Sequence, residues 1–224
     1  MMVNKNYIIR LSNYRHALKR FKTLGFIKVF SDNLADATGV SSAQVRKDFS
    51  IFGISGNKKG GYQIESLMER LNDILGKDRI QRVIIVGAGK IGKALINYKG
   101  FEQDGIKVVA AFDVNSSRRP NEVDVPIYGL EKLKPYVKKN GVEIGIIAVP
   151  DNAAQRVMDL LVEAGIKGVL NFAPIRLRSD ADTIINNVDL RSELENLIYF
   201  VNATGKSRTK NNTSRKKVKH GNGA

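Results

Sequence analysis

The sequence predicts an α/β protein: an N-terminal winged helix-turn-helix domain, then a doubly wound parallel sheet, then a C-terminal helix. Three observations predict it. Two short helical patterns flank Thr38-Gly39-Val40, and a glycine-rich, lysine-bearing stretch follows them. From Arg82 onward, short apolar runs alternate with amphipathic helical patterns. Last, an apolar stripe recurs at helical spacing from Leu190 to Val201. With 224 residues the chain can bury two cores. Composition shifts divide it at 1–78, 79–188 and 189–203, with a polar tail over 204–224 that is expected to be disordered.

Residues 7–24 read as an amphipathic helix, with Leu11, Tyr14, Leu18 and Phe21 on one face and Gly25 as its stop. A second helix starts at Ser31 or Asp32. A third, capped by Ser41 or Ser42, runs to about Phe52. Two short helices joined by a glycine turn describe helix-turn-helix geometry. On the third helix Val45, Phe49 and Phe52 face inward, leaving Ser42, Gln44, Arg46 and Lys47 as candidate DNA contacts. Arg and Gln pair with guanine and adenine edges, and Lys and Ser serve phosphates. Gly53 to Ile64 reads as a wing hairpin, with Lys58, Lys59 and Tyr62 as further candidate contacts. A helix over Glu65–Leu75 and a linker over Gly76–Asp78 complete this part.

Arg82–Val86 is apolar enough for a buried parallel strand. The turn Gly87-Ala88-Gly89-Lys90-Ile91-Gly92 follows at once, and a helix over Lys93–Tyr98 follows the turn. This is a Rossmann-like dinucleotide fingerprint in its required strand-turn-helix context. Gly87 permits the tight turn, Gly89 lets backbone approach a pyrophosphate at the helix N-terminus, and Gly92 lets helix pack on strand. The next strand, Val108–Phe112, ends in Asp113, 21 residues after Gly92. A carboxylate there holds the adenosine ribose and repels a 2′-phosphate, so NADH and NAD+ are the expected cofactors. Ile127-Tyr128, Leu130–Lys138, Ile144–Val149, Asn152–Ala164 and Gly168–Phe172 continue the alternation. Ligands bind at the carboxyl ends of such strands, so Val149, Pro150, Asn171 and Ala173 are candidate lining residues. Asp189 opens the last helix, whose stripe of Leu190, Leu194, Leu197, Ile198 and Val201 needs a surface to cover.

Net charge is +15, and its placement is informative. Residues 1–78 carry 13 Lys/Arg against 7 Asp/Glu, residues 79–203 carry 17 against 15, and residues 204–224 carry 7 against none. A basic domain and a basic tail point to a polyanion partner, here double-stranded DNA. There is no cysteine, which excludes disulfides, thiolate metal sites and a thiol switch. Redox sensing would have to use a bound cofactor, and no metal is expected. Apolar runs long enough for a membrane span and a secretory leader are both lacking, so a cytoplasmic location is expected.

At this point the chain resembles the Rex-type redox-sensing transcriptional repressors, up to about Asn202. Val45-Arg46-Lys47-Asp48-Phe49-Ser50 with Phe52-Gly53 is similar to the family's recognition helix, and Gly61-Tyr62 to the end of its wing. Gly87 to Gly92, Val149-Pro150, Asn171-Phe172-Ala173-Pro174 and Val188-Asp189-Leu190 with Glu193-Leu194 also match. The resemblance implies a homodimer on an inverted-repeat operator, a C-terminal helix swapped onto the neighbouring subunit, and DNA release on NADH binding. It also implies a switch network of Arg10, Tyr98 and Asp189. The neutral reduced nicotinamide is expected to settle in an apolar pocket at the dimer interface, against Leu190. Lys59 stands where the family's wing has glycine, and the basic tail is longer than the family's pattern.

A rival class is an NAD-dependent oxidoreductase. It needs a proton donor at the nicotinamide, and His16 and His220 are poorly placed for that. Tyr128-Gly129-Leu130-Glu131-Lys132 mimics a Tyr-x-x-x-Lys pair but comes too early after the glycine turn. No catalytic residue is therefore assigned. A CoA-binding domain is a third reading of Val149 to Pro174, against which Asp113 argues for the dinucleotide.

Overall fold

The computed structural model describes residues 4–56, 60–115, 125–179 and 182–203. The chain divides into two compact units. The first is Met1–Gln81 together with Gly100–Ile106, and the second is the remainder.

The first unit opens with α1 (Lys5–Thr23), whose N-terminus is capped by the Asn4 side chain. β1 (Lys28–Val29), α2 (Ser31–Thr38) and α3 (Ser42–Ile51) follow. Gly39 turns the chain between α2 and α3 with φ +70°, a left-handed value that glycine takes without strain. Ser41 Oγ accepts the Gln44 N–H at 3.1 Å and so starts α3. β2 (Tyr62–Gln63) pairs antiparallel with β1, Lys28 opposite Gln63 and Val29 opposite Tyr62. The wing therefore returns to a strand ahead of α2, a partner that local sequence did not announce. α4 (Ile64–Ile74) closes the unit, its Leu71 joining a core of Leu11, Tyr14, Leu18, Val45 and Phe49. The Tyr14 and Phe49 rings meet edge to face at 5.5 Å, a favoured aromatic geometry.

A segment from later in the chain also belongs here. α6 (Gly100–Gln103) and the residues just after it pack with this unit. Asp104 is the fastener: its carboxylate meets Arg15 at 3.0 Å, His16 at 2.9 Å and Lys19 at 3.2 Å, all from α1. Lys77 Nζ donates to the Asp104 carbonyl oxygen at 3.0 Å. Burial alone would raise the Asp104 carboxyl. Hydrogen bonds from Arg15 and Lys19 and the nearby His16 outweigh it and bring it down to about 2.

The second unit is a six-stranded sheet of β3 (Gln81–Val86), β4 (Ile106–Phe112), β5 (Ile127–Tyr128), β6 (Ile144–Ile147), β7 (Gly168–Asn171) and β8 (Ile184–Asn187). Its order is β5-β4-β3-β6-β7-β8. The β3–β6, β4–β5, β6–β7 and β7–β8 pairings are parallel, with Val83 opposite Ile144 and Ile144 opposite Gly168. α5 (Lys90–Ile96), α7 (Leu133–Asn140) and α8 (Asp151–Ala164) connect the strands. Ile84, Phe112, Ile147, Met158 and Leu161 are central to its core. The chain leaves β3 toward β4 and reaches β3's other neighbour, β6, only after β5. The topological switch point thus lies between the ends of β3 and β6, where ligands of such sheets bind. A last helix, α9, spans 190–203.

β8 and α6 were not foreseen. β8 is exposed along most of its length, so it lacks the buried alternation that marks a strand. The predicted wing lysines Lys58 and Lys59, and the basic tail, lie outside the described residues.

Candidate functional site

The chain turns as soon as β3 ends. Gly87 holds φ +101°, and a Cβ there would lie 2.4 Å from the Ala148 carbonyl oxygen. Gly92 is tighter still, because its Cβ would lie 1.8 Å from the Gly87 carbonyl oxygen. These two glycines allow backbone to meet backbone at the switch point. Gly89 differs: it caps α5 at φ −72°, and a Cβ there would meet nothing within 4 Å. The protein's own packing does not require glycine at 89. Its bare, exposed backbone suits a ligand that comes close to the main chain, as a pyrophosphate does.

Asp113 follows β4. Its Oδ2 accepts the Ala88 N–H at 2.7 Å and its Oδ1 accepts the Asn115 N–H at 2.8 Å. The carboxylate joins the glycine turn to the loop after β4 and still has lone pairs for hydroxyl donors. Ala88 is buried, whereas Lys90 and Ile91 are exposed beside it. Val149 is half-buried and Pro150 exposed, after β6 and just before α8. Asn171 corrects the expectation of a lining residue, because it is fully buried. Its amide donates to the Ile175 carbonyl at 2.8 Å and Asn187 Oδ1 at 2.9 Å, and accepts from the Ala173 N–H at 2.9 Å. Asn171 shapes the loop after β7, and Ala173, within that loop, is buried as well.

On α3, Arg46 and Lys47 are exposed as expected, while Ser42 and Gln44 are half-buried. Arg46 donates to Ser31 Oγ at 3.0 Å. Gln44 turns its amide to Asp48, with Nε2 donating to Oδ1 at 2.7 Å. Asp48 is fully buried, and sequence reasoning missed it. Arg10 donates to both of its oxygens, at 2.6 and 2.7 Å, and the Tyr14 hydroxyl donates at 2.9 Å. Burial alone would raise the Asp48 carboxyl; the hydrogen bonds from Arg10, Tyr14 and Gln44 outweigh it and hold it below the usual range. Tyr62 packs its ring edge to face on Phe49 at 5.1 Å and is half-buried, and burial pushes its hydroxyl up.

The three expected switch residues are placed as follows. Arg10 holds Asp48 within the first unit. Tyr98 is exposed, two residues beyond the end of α5 rather than on it, because the helix stops at Ile96. Asp189 caps α9, accepting the Arg191 and Ser192 N–H groups at 3.1 and 3.3 Å and the Ser192 hydroxyl at 2.8 Å. Its carboxyl is lowered by the Ser192 hydrogen bonds. Leu190, Leu194, Leu197, Ile198 and Val201 on α9 are all exposed. Tyr128 of the Tyr-x-x-x-Lys mimic packs its ring at a tilt against Phe112 and Tyr136. Among the described residues, no three His, Cys, Asp or Glu side chains group as a metal site, and no helix is long and apolar enough to cross a membrane.

Residues 3–50 match the family described as "Putative DNA-binding protein N-terminus", and residues 78–175 match the CoA binding domain family. Redox-sensing transcriptional repressor Rex of Streptococcus agalactiae serotype Ia is 40% identical over 196 residues, covering 86% of this chain and 93% of the relative. The chain belongs to the Rex family of redox-sensing transcriptional repressors. Rex of Lactobacillus acidophilus is likewise 40% identical, over 87% of this chain and 92% of the relative. The crystal structure of RSP, a Rex-family repressor, superposes with TM-score 0.81 at 32% identity, covering 94% of this chain and 99% of RSP. RSP in complex with β-NAD+ and operator DNA gives TM-score 0.82 at 32% identity and covers both chains completely. RSP in complex with β-NADH gives TM-score 0.80 at 33% identity, covering 93% of this chain and 99% of RSP. The Rex family accounts for both units at once, and with them the predicted α/β fold.

Proposed function

We propose that this chain is a homodimeric repressor that holds inverted-repeat operator DNA and releases it when NADH binds. One observation carries the proposal: a single chain joins a capped recognition helix to a glycine cradle closed by Asp113. The structures of RSP with NADH, and with NAD+ and operator DNA, support the same pairing of ligands.

Residues 1–78 read DNA, 79–188 hold the cofactor, 189–203 join two copies, and the basic 204–224 adds affinity for DNA. Arg46 and Lys47 on α3 enter the major groove with Ser42 and Gln44, while Lys58, Lys59 and Tyr62 serve the wing. Gly87, Ala88, Gly89, Lys90, Ile91 and Gly92 receive the pyrophosphate and Asp113 the adenosine ribose. Val149 and Pro150 line the nicotinamide end, the buried Ala173 sits at its edge, and Leu190 of a second copy completes it. Asn171 supports that end from beneath. The bound cofactor supplies two states that differ by a hydride and one formal charge.

A ligand shifts a two-state equilibrium only by its differential affinity for the two states. Leu190 and the rest of the α9 stripe favour the neutral, reduced ring, and this draws the two copies into a form whose α3 helices no longer match adjacent grooves. Arg10, Tyr98 and Asp189 change partners between the two forms. Half-site spacing is fixed by the DNA helix, so a small change in geometry suffices.

The test is a gel shift on an inverted-repeat duplex with NADH and NAD+ added separately. NADH is expected to release the DNA and NAD+ to leave it bound; equal retention with both overturns the proposal.

A further inference from the structure

The helix α3 buries a carboxylate, Asp48, beneath its exposed polar side chains. Asp48 is 0% exposed and accepts four hydrogen bonds, two on each oxygen. Oδ2 takes Arg10 Nε at 2.6 Å and the Tyr14 hydroxyl at 2.9 Å. Oδ1 takes Arg10 Nη2 and Gln44 Nε2, both at 2.7 Å. An ionised carboxylate only accepts, so the part of Gln44 turned toward it must be the amide nitrogen. The carbonyl end of that amide is thereby turned away from Asp48.

What remains to Gln44 is one acceptor, Oε1, beside one N–H donor. Adenine shows a matching pair in the major groove: N6 donates and N7 accepts. Guanine shows two acceptors there, O6 and N7, and calls for two donors. Which base Gln44 suits therefore depends on which way round its amide is held. Arg10 contributes by keeping Asp48 ionised, since a protonated Asp48 could donate to the Gln44 carbonyl and reverse it.

We propose that Asp48 is a specificity-determining positioning residue: it holds the Gln44 amide nitrogen inward and so sets Gln44 to read adenine rather than guanine. This rests on α3 being the base-reading helix. Asp48 itself touches no base.

The substitution Asp48→Asn offers Gln44 a donor in place of an acceptor. Arg10 Nε and the Tyr14 hydroxyl keep the one remaining oxygen, and the new amide nitrogen faces Gln44. The Gln44 carbonyl then turns inward and its N–H2 group outward, a donor pair that fits guanine.

The full-length chain first selects a duplex from a random pool. Each base pair of the selected half-site is then varied singly in gel shifts. For the wild type, one pair per half-site is expected to favour A·T over G·C by about tenfold. Gln44→Ala levels the preference at that pair. Asp48→Asn moves it toward G·C at the same pair and leaves the other positions unchanged. A D48N chain that binds NADH normally and keeps the wild-type base profile overturns the proposal while leaving the α3 reading intact. An unchanged profile in Q44A removes Gln44 from base contact, and the proposal with it. Failure of the wild type to select any sequence overturns the DNA-reading function itself.

Should D48N not fold, the wild type decides. Its Gln44 side-chain amide resonance, assigned by its loss in Q44A, is expected to exchange with solvent about tenfold more slowly than that of exposed Gln63. Equal rates overturn the proposal.

Discussion

At the recognition helix, a buried charge is surrounded by side chains that each supply a donor. At the glycine turn, Gly87 and Gly92 carry no side chain and backbone meets backbone. Asp48 takes donors from Arg10, Tyr14 and Gln44, whereas Gly87 and Gly92 are fixed by what a Cβ would strike. Under the proposed function, the difference follows from what each region would recognise. A base edge is told from another by the placement of single donors and acceptors, so the readers need rigid side-chain support. A pyrophosphate is the same in every dinucleotide, so its cradle needs only close, unobstructed main chain.

The largest expected effect breaks the cradle. Gly92→Ala places a carbon 1.8 Å from the Gly87 carbonyl oxygen. A stability loss of about 4 kcal/mol or more is expected, together with loss of NADH binding. Thermal melting and a fluorescence titration measure the two. Retained NADH binding in a stable variant would show that the turn is not tightly packed.

Breaking the other region comes next. Asp48→Ala leaves the Arg10 guanidinium beside an apolar gap, at a cost of about 3 kcal/mol. Operator affinity should fall steeply in a gel shift, and NADH titration of the still-folded chain should not change. An equal loss of both functions would mean that the carboxylate supports the whole molecule and not the reading helix.

Gly89→Ala sharpens the contrast within the cradle itself. Nothing within 4 Å meets the new methyl, so stability should stay within about 1 kcal/mol of wild type. NADH affinity should fall about tenfold, because the methyl occupies the ligand's side. Unaltered affinity in the titration would place the pyrophosphate elsewhere.

The smallest effect concerns Asp104, whose carboxylate is only 24% exposed and lies among cations. Its carboxyl is lowered to about 2 from 3.8. The stabilisation is complete above the ordinary value and is lost as pH falls toward about 2. Asp104→Asn should cost about 1 kcal/mol at neutral pH, and the gap from wild type should narrow between about pH 4 and pH 2. Urea unfolding at a series of pH values measures it. A gap that persists undiminished at low pH would mean that the carboxylate's charge is not what stabilises the unit.

Local patterns told most of the fold. The α2–α3 pair was readable because Gly39 and Ser41 act within a few residues of themselves. The cradle was readable because its glycines and Asp113 sit at fixed spacing between a strand and a helix. Features joined across long separations were not. Asp48 looks like a solvent-facing residue on α3 until Arg10, 38 residues earlier, is placed against it. Asn171 marked the correct strand end but not its burial, because its partners Ile175 and Asn187 come from a loop and an edge strand. Gln44 was named as a candidate DNA contact from its place on α3, and the structure turns its amide to Asp48. Its inward turn depends on the same hidden carboxylate.

The segment Gly100–Ile106 interrupts the sheet-forming half of the sequence yet is built into the helical one. A fragment ending at Gln81 would therefore lose Asp104, the carboxylate that Arg15 shares with His16 and Lys19. Arg15, 6% exposed, would keep the neutral Asn72 oxygen at 2.6 Å but lose its carboxylate. A single cut after Gln81 thus separates the helical unit from a segment that is built into it.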